Sequence, residues 1–188
     1  MAIRVFIDQG HNPKNPNAGA EGNGYREQDI VYRVGVALDR LLNADPNFVS
    51  RVSRTSPDVV LGATNTDSLR LRVAGAIAFG ADLFLSIHTN AAASPLAGGS
   101  EALVFSVASR AYRIAEVILE DLTDAVGFQN RGVRLRPELY VLRRTPMPAV
   151  LLEIGFITNP REARYMYENP VLFARGIYNG LRRYYGVD

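Results

Sequence analysis

The chain has 188 residues, of which 47% are apolar and 21% charged, with a formal net charge of +2 and no cysteine. This length suits one domain with a substantial core. The lack of cysteine excludes disulfides, thiolate metal ligands and cysteine nucleophiles. No apolar stretch approaches the roughly 20 residues that a membrane-spanning helix needs. We therefore expect no transmembrane segment; we also expect no nucleic-acid partner and a monomeric protein.

The apolar pattern alternates between strand-like runs and helix-like stripes, which predicts a layered α/β fold. In the first half of the chain we predict strands over 2–8, 48–53 and 83–87, a loop over 9–24, and helices over 26–43 and from Thr66 or Asp67 to Gly80. In the second of these helices, Leu69, Val73 and Ile77 are expected to face the core.

The second half of the chain continues the same alternation. It predicts strands over 101–106, near 138–143 and over 149–153, a helix that begins near Ser109, and helices over 160–168 and 170–184. No internal repeat or linker interrupts the pattern, so we interpret residues 1–188 as one domain. The expected architecture is a single three-layer α/β domain with a central, mostly parallel, twisted sheet flanked by helices.

The only two histidines of the chain lie where predicted strands end. His11 follows the apolar run 3–7, and His88 follows the apolar run 83–87. Open α/β sheets assemble their sites at the carboxyl ends of the strands, and imidazoles with carboxylates are typical ligands of a catalytic zinc. A single histidine at a strand end is more often structural, but here both histidines share that position. The pattern therefore favours a metal site.

Glu27 is the acid best placed to join the two histidines. It is in phase with Val31, Val34 and Leu38, so its side chain follows the buried stripe of the predicted helix. Asp29 lies about 200° away around the helix and is expected to face solvent. A buried acid in a first helical turn is partly stabilised by the helix dipole and still needs a partner. We therefore predict Glu27 as the third metal ligand.

Glu153 follows the apolar run 149–152 and is predicted to lie at the edge of the buried sheet. Burial there raises the pKa of a carboxyl group and a nearby cation lowers it, which suits a general base near neutral pH. We predict that Glu153 takes this role and later hands the proton to a leaving amine. Glu101, near the start of another strand, is either a partner of the site or a surface acid.

Five arginines lie in one short segment that contains a single acid, Glu138. They are Arg131, Arg134, Arg136, Arg143 and Arg144. A solvated face is the ordinary interpretation of such a charge run; the alternative is a cradle for carboxylates or phosphates of an anionic partner. We assign Arg134 and Arg143, together with Asn90, to substrate binding.

Four segments of the chain, in order, resemble the motifs of the zinc-dependent N-acetylmuramoyl-L-alanine amidases, a family also called amidase type 3. These segments are Asp8-Gln9-Gly10-His11-Asn12, Gly24–Asp29, Ala81–Ala91 and Met147–Asn159. The chain departs from the family pattern at Gln9, Asn12 and Ile77, where proline, glycine and asparagine are usual.

The resemblance implies that His11, Glu27 and His88 bind one Zn²⁺ and that Glu153 acts on the attacking water. It also implies that the substrate is peptidoglycan, cleaved at the amide between the lactyl group of N-acetylmuramic acid and L-alanine. Three protein ligands leave an open position at which zinc can activate water and polarise the amide carbonyl. The expected place of action is the cell wall, outside the cytoplasm.

Two other functions remain open from the residues. One is a zinc carboxypeptidase-like amidohydrolase, with an arginine of the 131–144 segment binding a carboxylate. The other is a metal-free wall-binding module derived from an amidase. The chain enters a predicted strand almost directly, so we expect no signal peptide in it; a trimmed exported autolysin, a phage endolysin and a domain of a longer chain all fit this expectation.

Overall fold

A six-stranded sheet lies between two layers of helices in the computed structural model, which describes residues 1–187. In chain order the strands are β1 (Ile3–Gln9), β2 (Glu21–Gly22), β3 (Tyr25–Arg26), β4 (Phe48–Val52), β5 (Leu83–Asn90), β6 (Ser100–Val104), β7 (Asn130–Leu135) and β8 (Ala149–Phe156). The helices are α1 (Glu27–Asn43), α2 (Asn65–Phe79), α3 (Arg110–Val126), α4 (Tyr140–Arg144), α5 (Pro160–Glu168) and α6 (Pro170–Tyr185). Within the described range, no helix combines the length and the apolar character needed to cross a membrane.

The strand order in the main sheet is β4-β1-β5-β8-β6-β7, and β2 and β3 form a separate short hairpin. Strands β4, β1, β5 and β8 are parallel, β6 is antiparallel to β8, and β7 is parallel to β6. The carboxyl ends of β1, β5 and β8 therefore meet the amino end of β6 at one edge of the sheet. This architecture confirms the predicted single α/β domain with a mostly parallel sheet.

Alternating side chains of the strands fill two cores on opposite faces of the sheet. In β5, Leu83, Leu85 and Ile87 pack in a core with α1, α3 and α6. Phe84, on the other face of the same strand, packs in a second core with α2 and α4. His88 shares the parity of Phe84, which places it on the face covered by α2 and α4.

The predicted strand near 138–143 is wrong, because this segment forms α4. Val141 and Leu142 are both buried, and two adjacent buried residues do not fit the two-residue period of a half-buried strand. The strand of this region is β7, at the edge of the sheet, where its residues are only half-buried or exposed. An edge strand without an alternating apolar pattern carries no strand signal in the sequence.

Helix α2 begins earlier than predicted and turns a different face to the core. Its N-cap is Thr64, whose side chain accepts a hydrogen bond from Asp67 N (3.1 Å). The prediction that Ile77 faces the core is wrong, since this residue is 50% exposed, whereas Val73 is buried and Leu69 partly buried. The buried residues of α2 are Ser68, Arg72, Val73, Ala76 and Phe79.

Candidate metal centre

His11, Glu27 and His88 lie together at the carboxyl ends of β1 and β5. Glu27 Oε2 is 3.2 Å from His11 Nε2, and Glu27 Oε1 is 3.0 Å from His88 Nδ1. One potential ligand atom from each residue lies within 4.8 Å of the other two. The side chains of His11 and His88 are 21% and 18% exposed, so the group can be reached from solvent.

The backbone at the end of β1 brings the two histidines together. Gly10 N donates to Ile87 O (3.0 Å), which holds the segment before His11 beside β5. A Cβ atom on Gly10 would lie 2.5 Å from Cε1 of the His88 ring, so only glycine allows this contact. His11 itself has a φ of +63°, in the left-handed region that non-glycine residues rarely adopt.

Glu27, the first residue of α1, is held as an anion between the two imidazoles. Its Oε1 also accepts a hydrogen bond from Thr89 N (2.9 Å), and its Oε2 accepts one from Ala20 N (2.9 Å). Burial is the largest single effect and by itself would raise the pKa of this carboxyl, but the hydrogen bonds with His11 and His88 and the charges of these imidazoles together hold the pKa far below its usual range.

Glu153 is the cross-strand neighbour of His88 in β5 and of Glu101 in β6. It lies inside β8, which continues to Phe156, and not at the strand end that the sequence predicts. Its Oε2 atom is buried and has no hydrogen-bond partner among residues 1–187. Burial, followed by the charges of Glu27 and Glu101, raises the pKa of Glu153 to about 8. This carboxyl therefore titrates close to neutral pH.

Glu101 anchors a polar cluster beside Glu153 and is not an isolated surface acid. Asn90 Nδ2 donates to Glu101 Oε1 (2.9 Å). The Nε atoms of Arg131 and Arg134 lie 3.5 and 3.7 Å from Glu101 Oε2. The structure thus brings two of the residues assigned to substrate binding, Asn90 and Arg134, to Glu101, which is the cross-strand neighbour of Glu153.

The rest of the arginine-rich segment forms no ion pair with Glu101 within residues 1–187. Arg136 pairs with Glu138 (2.7 Å), and its positive charge lowers the pKa of Glu153, which burial and the two neighbouring acids raise by more. Arg143 and Arg144 are exposed on α4, and neither forms an ion pair within the part of the chain that the structure describes. The carboxyl-terminal end of the segment is therefore a solvent-exposed face, whereas its amino-terminal end lies beside the site.

A buried ion pair beneath the first histidine is not predicted by the motifs. Arg72 Nη1 lies 2.6 Å from Asp8 Oδ1, and Ser86 Oγ donates to Asp8 Oδ2 (2.8 Å). Burial would raise the pKa of Asp8, but Arg72 holds it below the usual value. The one feature of the sequence that could have predicted the burial of Arg72 is its helical phase. Arg72 lies three residues after Leu69 and four before Ala76, on the apolar stripe of α2.

Gln9 and Asn12, two of the residues that depart from the family pattern, are buried next to this ion pair. Gln9 is fully buried, and its Oε1 accepts a hydrogen bond from Arg54 N (2.9 Å). Asn12 is also fully buried; its Oδ1 accepts from Leu61 N (3.0 Å) and its Nδ2 donates to Pro16 O (2.7 Å). Both side chains therefore shape the loops around the site.

Two imidazoles and one ionised carboxylate can hold a divalent metal ion and leave coordination positions for water and substrate. A separate acid with a raised pKa lies beside them, as proton transfer near neutral pH requires. An α/β domain with this group at the carboxyl ends of its strands has the construction of a metal-dependent hydrolase.

Comparison with known proteins agrees with this class. Residues 5–183 match the family model described as N-acetylmuramoyl-L-alanine amidase, and the chain belongs to this family. It is 33% identical over 189 residues to N-acetylmuramoyl-L-alanine amidase CwlM of Bacillus licheniformis. The alignment covers 99% of this chain and 70% of that relative.

Solved structures of the same family share the fold. The catalytic domain of CwlV, an N-acetylmuramoyl-L-alanine amidase from Bacillus (Paenibacillus) polymyxa, is 30% identical, with a TM-score of 0.85 over 99% of both chains. The N-acetylmuramoyl-L-alanine amidase of Clostridium difficile 630 is 28% identical, with a TM-score of 0.86 over 98% of this chain and 97% of that one.

Proposed function

We propose that this chain hydrolyses the amide bond between N-acetylmuramic acid and L-alanine in peptidoglycan, using one zinc ion and Glu153 as general base. The observation that supports this most directly is the group of His11, Glu27 and His88 with Glu153 as the cross-strand neighbour of His88. The chain also belongs to the amidase family over nearly its whole length. We take residues 1–188 as one catalytic domain that acts on the cell wall, outside the cytoplasm, as a monomer.

The donor set of the three ligand residues fits zinc. Zinc accepts imidazole nitrogen and carboxylate oxygen together, whereas calcium and magnesium prefer sites made of oxygen alone. Glu27 is already ionised, because the pKa of its carboxyl lies far below the usual range. When bound, zinc supplies a Lewis acid that polarises the amide carbonyl and lowers the pKa of a water molecule.

Glu153 is the group that moves the proton. In the metal-free chain its pKa of about 8 leaves Glu153 mostly protonated near neutral pH. The positive charge of a bound cation would lower this pKa, so that the carboxylate could take a proton from the attacking water and release it again. The proton then goes to the nitrogen of L-alanine as the bond from this nitrogen to the lactyl carbonyl carbon breaks. The products are the free amine of the stem peptide and the carboxylic acid of N-acetylmuramic acid.

Asn90, Arg134 and Arg143 are proposed to bind the substrate. Arg134 has a 58% exposed side chain held near Glu101, so its guanidinium can receive a carboxylate of the stem peptide in a fork geometry. Asn90 lies in the same cluster and can offer amide donors and acceptors. Arg143, exposed on α4, would contact a more distant part of the substrate.

The direct test is digestion of purified muropeptides, with the products identified by mass spectrometry. We expect stem peptides that begin with L-alanine, together with glycan that keeps its N-acetylmuramic acid. A chelator should abolish the reaction, and added zinc should restore it.

The two alternative functions give different products in the same experiment. Release of single amino acids from the end of the stem peptide would replace our proposal with a zinc carboxypeptidase-like amidohydrolase. Protein that binds cell walls, contains no stoichiometric zinc and cleaves nothing even with zinc added would be a metal-free wall-binding module.

A further inference from the structure

The guanidinium of Arg72 lies beneath the chain segment that carries His11, and its side chain is 1% exposed. Its Nη1 atom donates to Asp8 Oδ1 and to Gln9 O, both at 2.6 Å. Its Nη2 atom donates to His11 O (2.6 Å) and lies 3.4 Å from Asn12 Oδ1. One side chain on α2 therefore contacts four residues at and beyond the end of β1.

Stability alone is a weak reason for a buried cation at this position. Removing two charges from water is unfavourable, and well-packed apolar residues often replace a buried ion pair without loss of stability. Arg72 also directs two of its donors at backbone carbonyls, those of Gln9 and His11, and not only at its carboxylate partner. These bonds fix the path of the chain at the point where it must present a ligand.

The His11 backbone needs such support, because its φ of +63° lies in a region that is unfavourable for a residue with a Cβ atom. The carbonyl of this strained residue accepts the Arg72 hydrogen bond. Asp8, the partner of Arg72, also binds Ser86 Oγ (2.8 Å), two residues before His88 in β5. The same buried pair therefore reaches both strands that deliver a histidine.

We propose that Arg72 is a positioning residue, which holds the His11 backbone in its left-handed conformation so that the imidazole faces Glu27 and His88. It is not one of the three candidate ligands and acts through His11 and Asp8. The proposal rests on metal binding by these three residues, as inferred above. Loss of partners that orient metal ligands typically lowers metal affinity about 10- to 100-fold.

The test measures zinc affinity of the full chain by competition with a chromophoric chelator, for the wild type and for Arg72→Met and Arg72→Lys. We expect Arg72→Met to lose about 10- to 100-fold in affinity. Arg72→Lys keeps the charge beside Asp8, but an ammonium lacks the planar fork that spans Asp8 and the His11 carbonyl. We therefore expect this variant to recover only part of the affinity.

Leu122→Ala is the matched control, because Leu122 is fully buried in α3 on the other face of the sheet. It should lower the free energy of unfolding and leave the zinc affinity unchanged. Equal affinity losses in Leu122→Ala and in the Arg72 variants would reduce Arg72 to a purely structural role. Zinc affinity within twofold of the wild type in folded Arg72→Met would also overturn the proposal.

A second readout does not depend on zinc. The chain has only two histidines, so the metal-free protein gives two sets of imidazole NMR signals, which His11→Ala and His88→Ala assign. In Arg72→Lys, the more conservative of the two variants, we expect the His11 signals to shift and broaden more than those of His88. Unchanged His11 signals in this variant would refute the positioning role, and this result does not require Arg72→Met to fold. A wild type that binds no zinc would instead overturn the proposed function.

Discussion

Glu27 and Glu153 carry the same side chain, but their surroundings shift the pKa values of the two carboxyls in opposite directions. Both are removed from water, which favours the neutral acid. Glu27 gains hydrogen bonds with His11 and His88 that favour the anion, whereas Glu153 faces the negative charges of Glu27 and Glu101. Partners, and not residue type, therefore separate the candidate ligand from the candidate base at this site.

Glu153→Gln tests the role of Glu153 as base. The substitution keeps the size of the side chain and removes its ability to take a proton, so we expect turnover to fall about 10²- to 10⁴-fold. Zinc content, measured by atomic emission, should stay at the wild-type value. His88→Ala is the companion variant and should lose the metal as well. If both variants lose zinc equally, Glu153 is a ligand and not the base.

The raised pKa of Glu153 also predicts a pH dependence of stability in the metal-free protein. The carboxyl titrates at about 8 in the folded chain, against an ordinary value of 4.5. Between pH 4.5 and about pH 8, Glu153 is protonated in the folded state and ionised in the unfolded state. The stability that Glu153 contributes is therefore complete below pH 4.5 and is lost as the pH rises through about 8. Urea denaturation of wild type and Glu153→Gln should show the variant gaining relative stability from pH 5 to pH 8. A constant difference would mean that Glu153 has an unshifted pKa.

At the scale of elements, α2 shows why a helical stripe is hard to place from apolar residues alone. The core-facing side of this helix includes Ser68 and Arg72, whereas Ile77 points away from it. The polar residues face inward because the ends of β1 and its loop offer them partners. A prediction that considers only apolar residues therefore places the core-facing side of this helix part of a turn away from its true position.

A pair of identical substitutions tests this orientation. Ile77→Ala, at a position that is 50% exposed, should change the free energy of unfolding by no more than about 0.5 kcal/mol. Ile114→Ala, at a fully buried position of α3, should cost about 2–5 kcal/mol because it leaves a cavity. Urea denaturation of the metal-free variants gives both values. Similar losses at the two positions would contradict the orientation of α2.

At the scale of the whole molecule, the candidate ligands come from three separate segments: the loop after β1, the first turn of α1, and β5. Residues that are 61 positions apart in the chain, Glu27 and His88, lie 3.0 Å apart at their nearest ligand atoms. A bound metal would therefore connect α1 with two strands of the sheet, and binding to the folded state alone stabilises that state.

Zinc should accordingly raise the Tm of the wild type. At a free zinc concentration 100 times the Kd, we expect about 2.7 kcal/mol of added stability, and a chelator should reverse the shift. Calorimetry with and without zinc measures the effect, with His88→Ala as the control that should show no shift. An equal shift in this variant would place the bound zinc elsewhere on the chain.

Local pattern in the sequence is sufficient for much of this protein. The apolar runs predict most strands and helices, because burial of a face imposes a period of two or 3.6 residues on its own segment. The phase of Glu27 with Val31 and Val34 predicts that this acid turns inward, and the structure shows it buried. The four ordered segments that contain His11, Glu27, His88 and Glu153 resemble the motifs of the amidase family, and the comparison confirms this family.

Only the tertiary structure decides what depends on contacts between distant segments. The identity of α4 and β7 depends on which neighbours cover them, and the burial of Arg72 depends on the carbonyls at the end of β1, 61 residues or more away in the chain. The pKa values of Glu27 and Glu153 depend likewise on the charges that the fold places around them. Periodicity records whether a residue is buried; it does not record its partners, and the partners set the chemistry of this site.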